Sequence, residues 1–152
     1  MSQLFVDMDG VLADFDTGHE QMLGITTSKL TDNVDWKAVR AVPGFYVNLP
    51  PMPDMHLLWA YIERHRPIVL TGVPHSVEEA PENKRAWVRK HLGSHVEVRC
   101  CQSSGKCEHA APGDILIDDW EKYRHLWVAK GGLWITHTNA ADTILQLEAL
   151  GF

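Results

Sequence analysis

The chain has 152 residues, of which 45% are hydrophobic and 22% charged, with a formal net charge of −6. That length suits one domain with one sizeable core, and the composition is that of a soluble globular protein. The acidic balance argues against a duplex DNA binder, which carries a basic face, and no apolar run approaches the roughly 20 residues of a membrane span. Three cysteines, an odd number, give no disulfide framework. The N-terminus lacks a basic segment followed by a long apolar one, so a reducing, cytoplasmic setting is expected.

In chain order, the first apolar run is Leu4-Phe5-Val6, entering Asp7-Met8-Asp9-Gly10. Apolar residues followed by Asp and Gly predict a buried strand, roughly Gln3 to Asp7, running into a sharp turn. Residues i and i+2 of an extended chain share a side, so Asp7 and Asp9 can approach one point. Two carboxylates held that close call for a cation or a proton between them. Residues 16–49 are polar, with Gly18, Gly24 and Gly44 among short apolar clusters. They predict a small cap inserted after the first strand, with about two short helices, and an insertion there is a natural lid.

Leu49-Pro50-Pro51-Met52-Pro53 predicts a stiff connector. Asp54 then reads as the N-cap of a helix presenting Met55, Leu58 and Ile62 on one face and ending at Arg66-Pro67. Ile68 to Gly72 is a second apolar run with a polar end, Thr71. A helix is predicted from Glu82 to Leu92, with Pro81 in its first turn and Gly93 stopping it. His95 to Cys100 alternates as a strand, 102–112 reads as loop, and Asp114 to Asp119 is a further apolar run ending in carboxylates. Trp120 to Lys130 predicts a helix stopped by Gly131-Gly132. Leu133 to Thr136 predicts a strand, and Asn139 the cap of a last helix. Strands alternating with helices predict an α/β fold, a parallel sheet with helices on both faces. Ligands bind such sheets beyond the carboxyl ends of the strands. There the sequence places Asp7 and Asp9, Thr71, and Asp118 with Asp119, while Lys106 lies in the loop leading to the last pair.

These residue types suit the hydrolysis of a phosphate ester. Asp7 can attack phosphorus as a carboxylate nucleophile, and Asp9 can protonate the leaving oxygen and then deprotonate water. Magnesium takes sparse oxygen ligands, here Asp7, Asp118 and the backbone carbonyl of Asp9. Thr71 and the Gly72 amide can donate to phosphoryl oxygens, with Lys106 offsetting their charge.

DMDGVLADF, VLTG, a loop lysine and GDILIDD, in that order, resemble the four motifs of the haloacid dehalogenase (HAD) superfamily of phosphohydrolases. The resemblance implies a Rossmann-like core with the nucleophile strand near the sheet centre and Mg2+ as cofactor. It implies Asp7 as nucleophile, Asp9 as acid and base, Thr71 and Lys106 as phosphate ligands and Asp118 as metal ligand, with Asp119 a second carboxylate on the metal side. More narrowly, DMDGVLADF, GFYVNLPPMP, ENKRAWVRKHLG and DILIDD together resemble the 5'(3')-deoxyribonucleotidases. In that family cap aromatics cover the nucleobase, and Phe45 and Tyr46 fall in the matching stretch. Lys84, in ENKRAW, rivals Lys106 as the phosphate lysine. Trp120 stands where that family usually has a basic residue.

The expected activity is therefore that of a Mg-dependent phosphomonoesterase working through an aspartyl-phosphate, with a nucleoside monophosphate as substrate. Another small phosphate ester or a nucleic-acid 3'-phosphate remains open as substrate, and a homodimer is also left open. A phospho-accepting receiver-like signalling module uses the same residue types. However, it carries its adjacent acid pair on the first strand and its phosphorylated Asp later, the reverse of the order here. Cys100, Cys101, Cys107 and His109 lack the paired spacing of a zinc site.

Overall fold

The computed structural model describes residues 1–28 and 33–152. Five parallel strands form one sheet in the order β3-β2-β1-β4-β5, with β1 at Leu4–Val6, β2 at Ile68–Gly72, β3 at Val98–Cys101, β4 at Ile115–Asp118 and β5 at Leu133–Thr136. The central strand is β1: Phe5 lies opposite Ile68 on one side and Leu116 on the other. Its three residues are all buried, as expected of a parallel strand covered on both faces.

Side chains alternate across the strand, and the core divides accordingly. Leu4 and Val6, with Val69, Ile115, Ile117 and Ile135, join the larger apolar cluster. That cluster takes in α3 (Met55–Ile62), α4 (Ala80–His91) and α6 (Ala140–Ala149). Phe5, Ile68, Leu70 and Leu116 face the other way, against Trp127 of α5 (Arg124–Ala129). Phe5 meets the Trp127 ring edge-on at 5.5 Å.

Within the insertion, α1 (Phe15–Leu23) and α2 (Trp36–Arg40) are the two short helices; residues 29–32 of the expected 16–49 segment lie outside the described residues. Each helix starts on an aspartate: Asp14 accepts from the Thr17 amide and Asp35 from the Ala38 amide. Phe15, Val39, Phe45 and Tyr46 are buried in the same cluster as Leu4 and Val6.

Four local expectations change. The strand expected over His95 to Cys100 begins only at Val98 and runs to Cys101, because the chain turns at 94–96, where the Val96 amide donates back to the Gly93 carbonyl. Asp54 makes no side-chain cap on its own helix; its carboxylate instead accepts from the Ala140 amide at 2.7 Å, capping α6 from 86 residues away, because α3 and α6 pack side by side. The segment 102–112, expected as loop, contains a 3₁₀ helix over Ser103–His109. The helix expected over 120–130 divides into a 3₁₀ turn at Glu121–Tyr123 and the shorter α5.

Candidate active site

The carboxyl end of β1 runs directly into a tight loop. The Asp7 amide donates to the Ile117 carbonyl at 2.9 Å, holding Asp7 beside β4. The Met8 carbonyl then accepts from the amides of Val11, Leu12 and Ala13. Gly10 makes the reversal at φ +82°, and a Cβ there would lie 2.0 Å from Asp119 Oδ2. Glycine is therefore needed twice over, for its conformation and for the space the Asp119 carboxylate occupies.

Around this loop the structure brings together most of the residues singled out from sequence. Asp7, Asp118 and Asp119 each present an oxygen within 4.8 Å of the others. Lys106, 7% exposed, donates to Asp7 Oδ1 at 2.9 Å and to Asp118 Oδ2 at 2.7 Å. The 3₁₀ helix carrying it lies close to β2: a Cβ on Gly72 would meet Ser103 Oγ. Lys84 enters from α4 and is fully buried. It donates to Asp9 Oδ2 at 2.8 Å, Thr71 Oγ1 at 2.9 Å and the Gly72 carbonyl at 2.6 Å.

The two lysines therefore do not compete for one position. Lys106 sits on the Asp7–Asp118 side and Lys84 on the Asp9–Thr71 side. The pattern that brings Lys84 inward is visible in α4, whose buried positions are Ala80, Lys84, Trp87 and Val88. A lysine three and four residues from apolar neighbours lies on the apolar face of its helix.

A cavity of about 350 Å³ opens over the strand ends. Asp7, Asp9, Gly72, Lys106, Asp118 and Tyr46 contribute to its lining, whereas Thr71 and Lys84, the first expected as a phosphate ligand and the second as its rival lysine, are fully buried and do not line it. Phe45 does not line it; its ring packs between Phe15, His19 and Tyr46. Tyr46 reaches the cavity with the Lys84 ammonium 4.5 Å from its ring centre. Sequence reasoning did not assign Trp36, Tyr123, His75 or Gln102 to the wall, nor Trp120 to any role in it, yet all five line it. No local pattern marked four of them, since they come from separate parts of the chain: Trp36 opens α2, Tyr123 ends a 3₁₀ turn, and His75 and Gln102 lie in loops. Trp120 alone carried a signal, as an aromatic residue directly after the acid pair.

The electrostatics favour a divalent cation. Two ammonium groups stand among the carboxylates of Asp7, Asp9, Asp118 and Asp119. This leaves an excess of negative charge in a site where Asp7 and Asp118 are only 3% and 4% exposed. Clustered carboxylate oxygens are the donors that magnesium takes, so the residues fit the ion. Nearby, burial pushes the Cys101 thiol above its ordinary range, against the pull of Lys106. It stays protonated at neutral pH and is a poor nucleophile. His137, whose amide donates to the Asp118 carbonyl, is held below its ordinary value chiefly by burial, with Asp54, Asp7 and Asp142 pulling the other way.

No family model matches the chain. Among curated proteins, it is similar to the cytosolic-type 5'(3')-deoxyribonucleotidase of Homo sapiens, 29% identical over 151 residues covering 80% of this chain and 72% of the relative. It is also similar to a Bordetella bronchiseptica protein assigned by name to the 5'(3')-deoxyribonucleotidases, 28% identical over 143 residues covering 76% and 73%. Among solved structures, a hydrolase from Streptococcus pneumoniae TIGR4 superposes with a TM-score of 0.55 at 13% identity, over 96% of this chain and 97% of that one. The last likeness shows the fold. The first two agree with the resemblance to 5'(3')-deoxyribonucleotidases carried by the sequence motifs.

Proposed function

We propose that the chain is a Mg2+-dependent phosphomonoesterase of the HAD type, a 5'-nucleotidase acting on (deoxy)nucleoside monophosphates. The observation that carries the reading is the joining of Asp7, Lys106 and Asp118 by two short hydrogen bonds at the floor of one cavity. The names of the curated relatives support the substrate class. So does the aromatic lining of Trp36, Trp120 and Tyr123, since aromatic rings stack on nucleobases. Residues 16–49 are read as a cap over this single HAD-like domain. The human relative's name, cytosolic type, supports a cytoplasmic setting. No described helix is long and apolar enough to cross a membrane.

In the proposed reaction an Asp7 oxygen attacks phosphorus and the bond to the leaving oxygen breaks. Asp9 gives that oxygen its proton, and an aspartyl-phosphate remains on Asp7. Asp9, now a carboxylate, takes a proton from water, whose oxygen attacks the same phosphorus. The acyl-phosphate bond breaks, releasing phosphate and restoring Asp7. The Gly72 amide orients the phosphoryl oxygens, Thr71, fully buried, anchors the Lys84 ammonium behind it, and Lys106 balances the phosphoryl charge while holding Asp7 aimed into the cavity. Asp7, Asp118, Asp119 and the Asp9 carbonyl would hold magnesium, which neutralises phosphoryl charge when bound.

The test is phosphate release across nucleotides, deoxynucleotides, sugar phosphates and a 3'-phosphorylated oligonucleotide, with magnesium or EDTA. Release from nucleoside monophosphates, lost with EDTA and in Asp7→Asn, is expected. Full turnover by Asp7→Asn would refute the nucleophile, and a preference for sugar phosphates or for the oligonucleotide would refute the substrate class.

A further inference from the structure

Lys84 is placed to serve the reaction through Asp9 rather than by touching phosphate. An ammonium group has three N–H donors, and three acceptors surround this one at 2.6 to 2.9 Å: the Gly72 carbonyl, Asp9 Oδ2 and Thr71 Oγ1. The Tyr46 ring stands over it at 4.5 Å, and the side chain has no exposed surface. Its donors are thus engaged within the protein, in contrast to a phosphate ligand, which must offer one to the substrate.

We infer that Lys84 is a positioning residue that fixes the Asp9 carboxyl group for proton transfer to the leaving oxygen. The Gly72 carbonyl and Thr71 Oγ1 anchor the ammonium on β2. The ammonium in turn grips Oδ2 of Asp9, so that the orientation of the carboxyl plane is set by β2 as well as by the loop after β1. Lys84 can hold Asp9 in both half-reactions: the N–H to Oδ2 suits the carboxylate that deprotonates water, and it also suits the carboxyl group whose other oxygen carries the proton. The lysine gains and loses no proton, and the proton balance is that of Asp9 alone.

This inference rests on the acid role proposed for Asp9, and the leaving group separates the two. The ratio kcat/KM reports steps up to release of the leaving group, so the second half-reaction does not enter. A nucleoside monophosphate expels an alkoxide that needs a proton, whereas p-nitrophenyl phosphate expels a phenolate that does not. In the full-length protein with magnesium, Lys84→Met should lower kcat/KM for the nucleotide about 10-fold or more while changing that for p-nitrophenyl phosphate by no more than about threefold, general acid catalysis being worth roughly 10²–10⁴. Asp9→Asn should show the same skew more strongly, and the double variant should be no worse than Asp9→Asn, as for residues acting as one unit.

If Lys84→Met does not fold, Lys84→Gln, which keeps a donor without the charge, should show the same skew in smaller degree. Equal losses on both substrates, or none, in a folded Lys84 variant would overturn the inference while Asp9→Asn still skewed. If Asp9→Asn itself failed to skew while Asp7→Asn was inactive, the acid role of Asp9 would fall and the inference with it.

Discussion

Gly10→Ala tests how the loop after β1 sets up the acidic cluster. Two effects are expected. At φ +82° an L-residue is strained, by about 1–2 kcal/mol for left-handed backbone. The new Cβ would also lie 2.0 Å from Asp119 Oδ2 and 2.5 Å from its Cγ. Because ordinary contacts begin near 3.4 Å, the carboxylate must retreat by more than an ångström, far enough to leave its place beside Asp7 and Asp118. Disturbing the surroundings of a metal's ligands weakens its binding by about 10–100-fold. On the proposed magnesium dependence, the concentration of the ion for half-maximal phosphatase activity should rise accordingly. Gly24→Ala is the control, since Gly24 has φ +68° with nothing within 4 Å of its virtual Cβ. It should cost about 1–2 kcal/mol of stability, the strain alone, with the magnesium dependence unchanged. The assay is a magnesium titration of activity on both variants, with thermal melts in magnesium and in EDTA. A folded Gly10→Ala protein with the wild-type magnesium dependence would refute the link from Gly10 through Asp119 to the metal.

Asp54→Ala should destabilise the protein by about 1–2 kcal/mol in urea unfolding, the usual value of a capping carboxylate, because the Ala140 amide loses its partner; a change within error would show that water replaces the cap. Burial holds His137 below its ordinary pKa of 6.5, so the unfolded chain binds its proton first on acidification. Its contribution to stability is full above that value and is lost as pH falls through the folded pKa. Melts between pH 7.5 and 5 should therefore decline more gently for His137→Asn than for wild type. Cys100 and Cys101, whose thiols burial pushes up, should alkylate with iodoacetamide at pH 8 more slowly than free cysteine, as followed by mass spectrometry of the peptide containing them.

Much of the architecture was legible in the chain because it rests on local periodicity. Leu4 to Val6, Ile68 to Leu70 and Ile115 to Ile117 are short continuous apolar runs, and their burial on both faces is what a parallel sheet requires. The polar residues ending those runs had to gather at one edge once the strands were parallel. That is why Asp7, Thr71 and Asp118 could be grouped before any coordinates. The resemblance to 5'(3')-deoxyribonucleotidases likewise lay in the motifs, and the similarity to curated relatives agrees with it.

What the sequence by itself determined is therefore the sheet, the order of its chemistry-bearing ends and the carboxylates at them, all set by spacing along the chain. Tertiary structure alone decided the partners of each charge. Lys84 and Asp9 are 75 residues apart, and Lys106 and Asp7 are 99; no local pattern encodes which ammonium meets which carboxylate. The docking of α4 and of the 3₁₀ helix on the sheet made that choice. It gave one lysine to Asp7 and Asp118 and the other to Asp9 and Thr71, because a buried charge is tolerated only where the packed elements supply its counter-charge and hydrogen bonds.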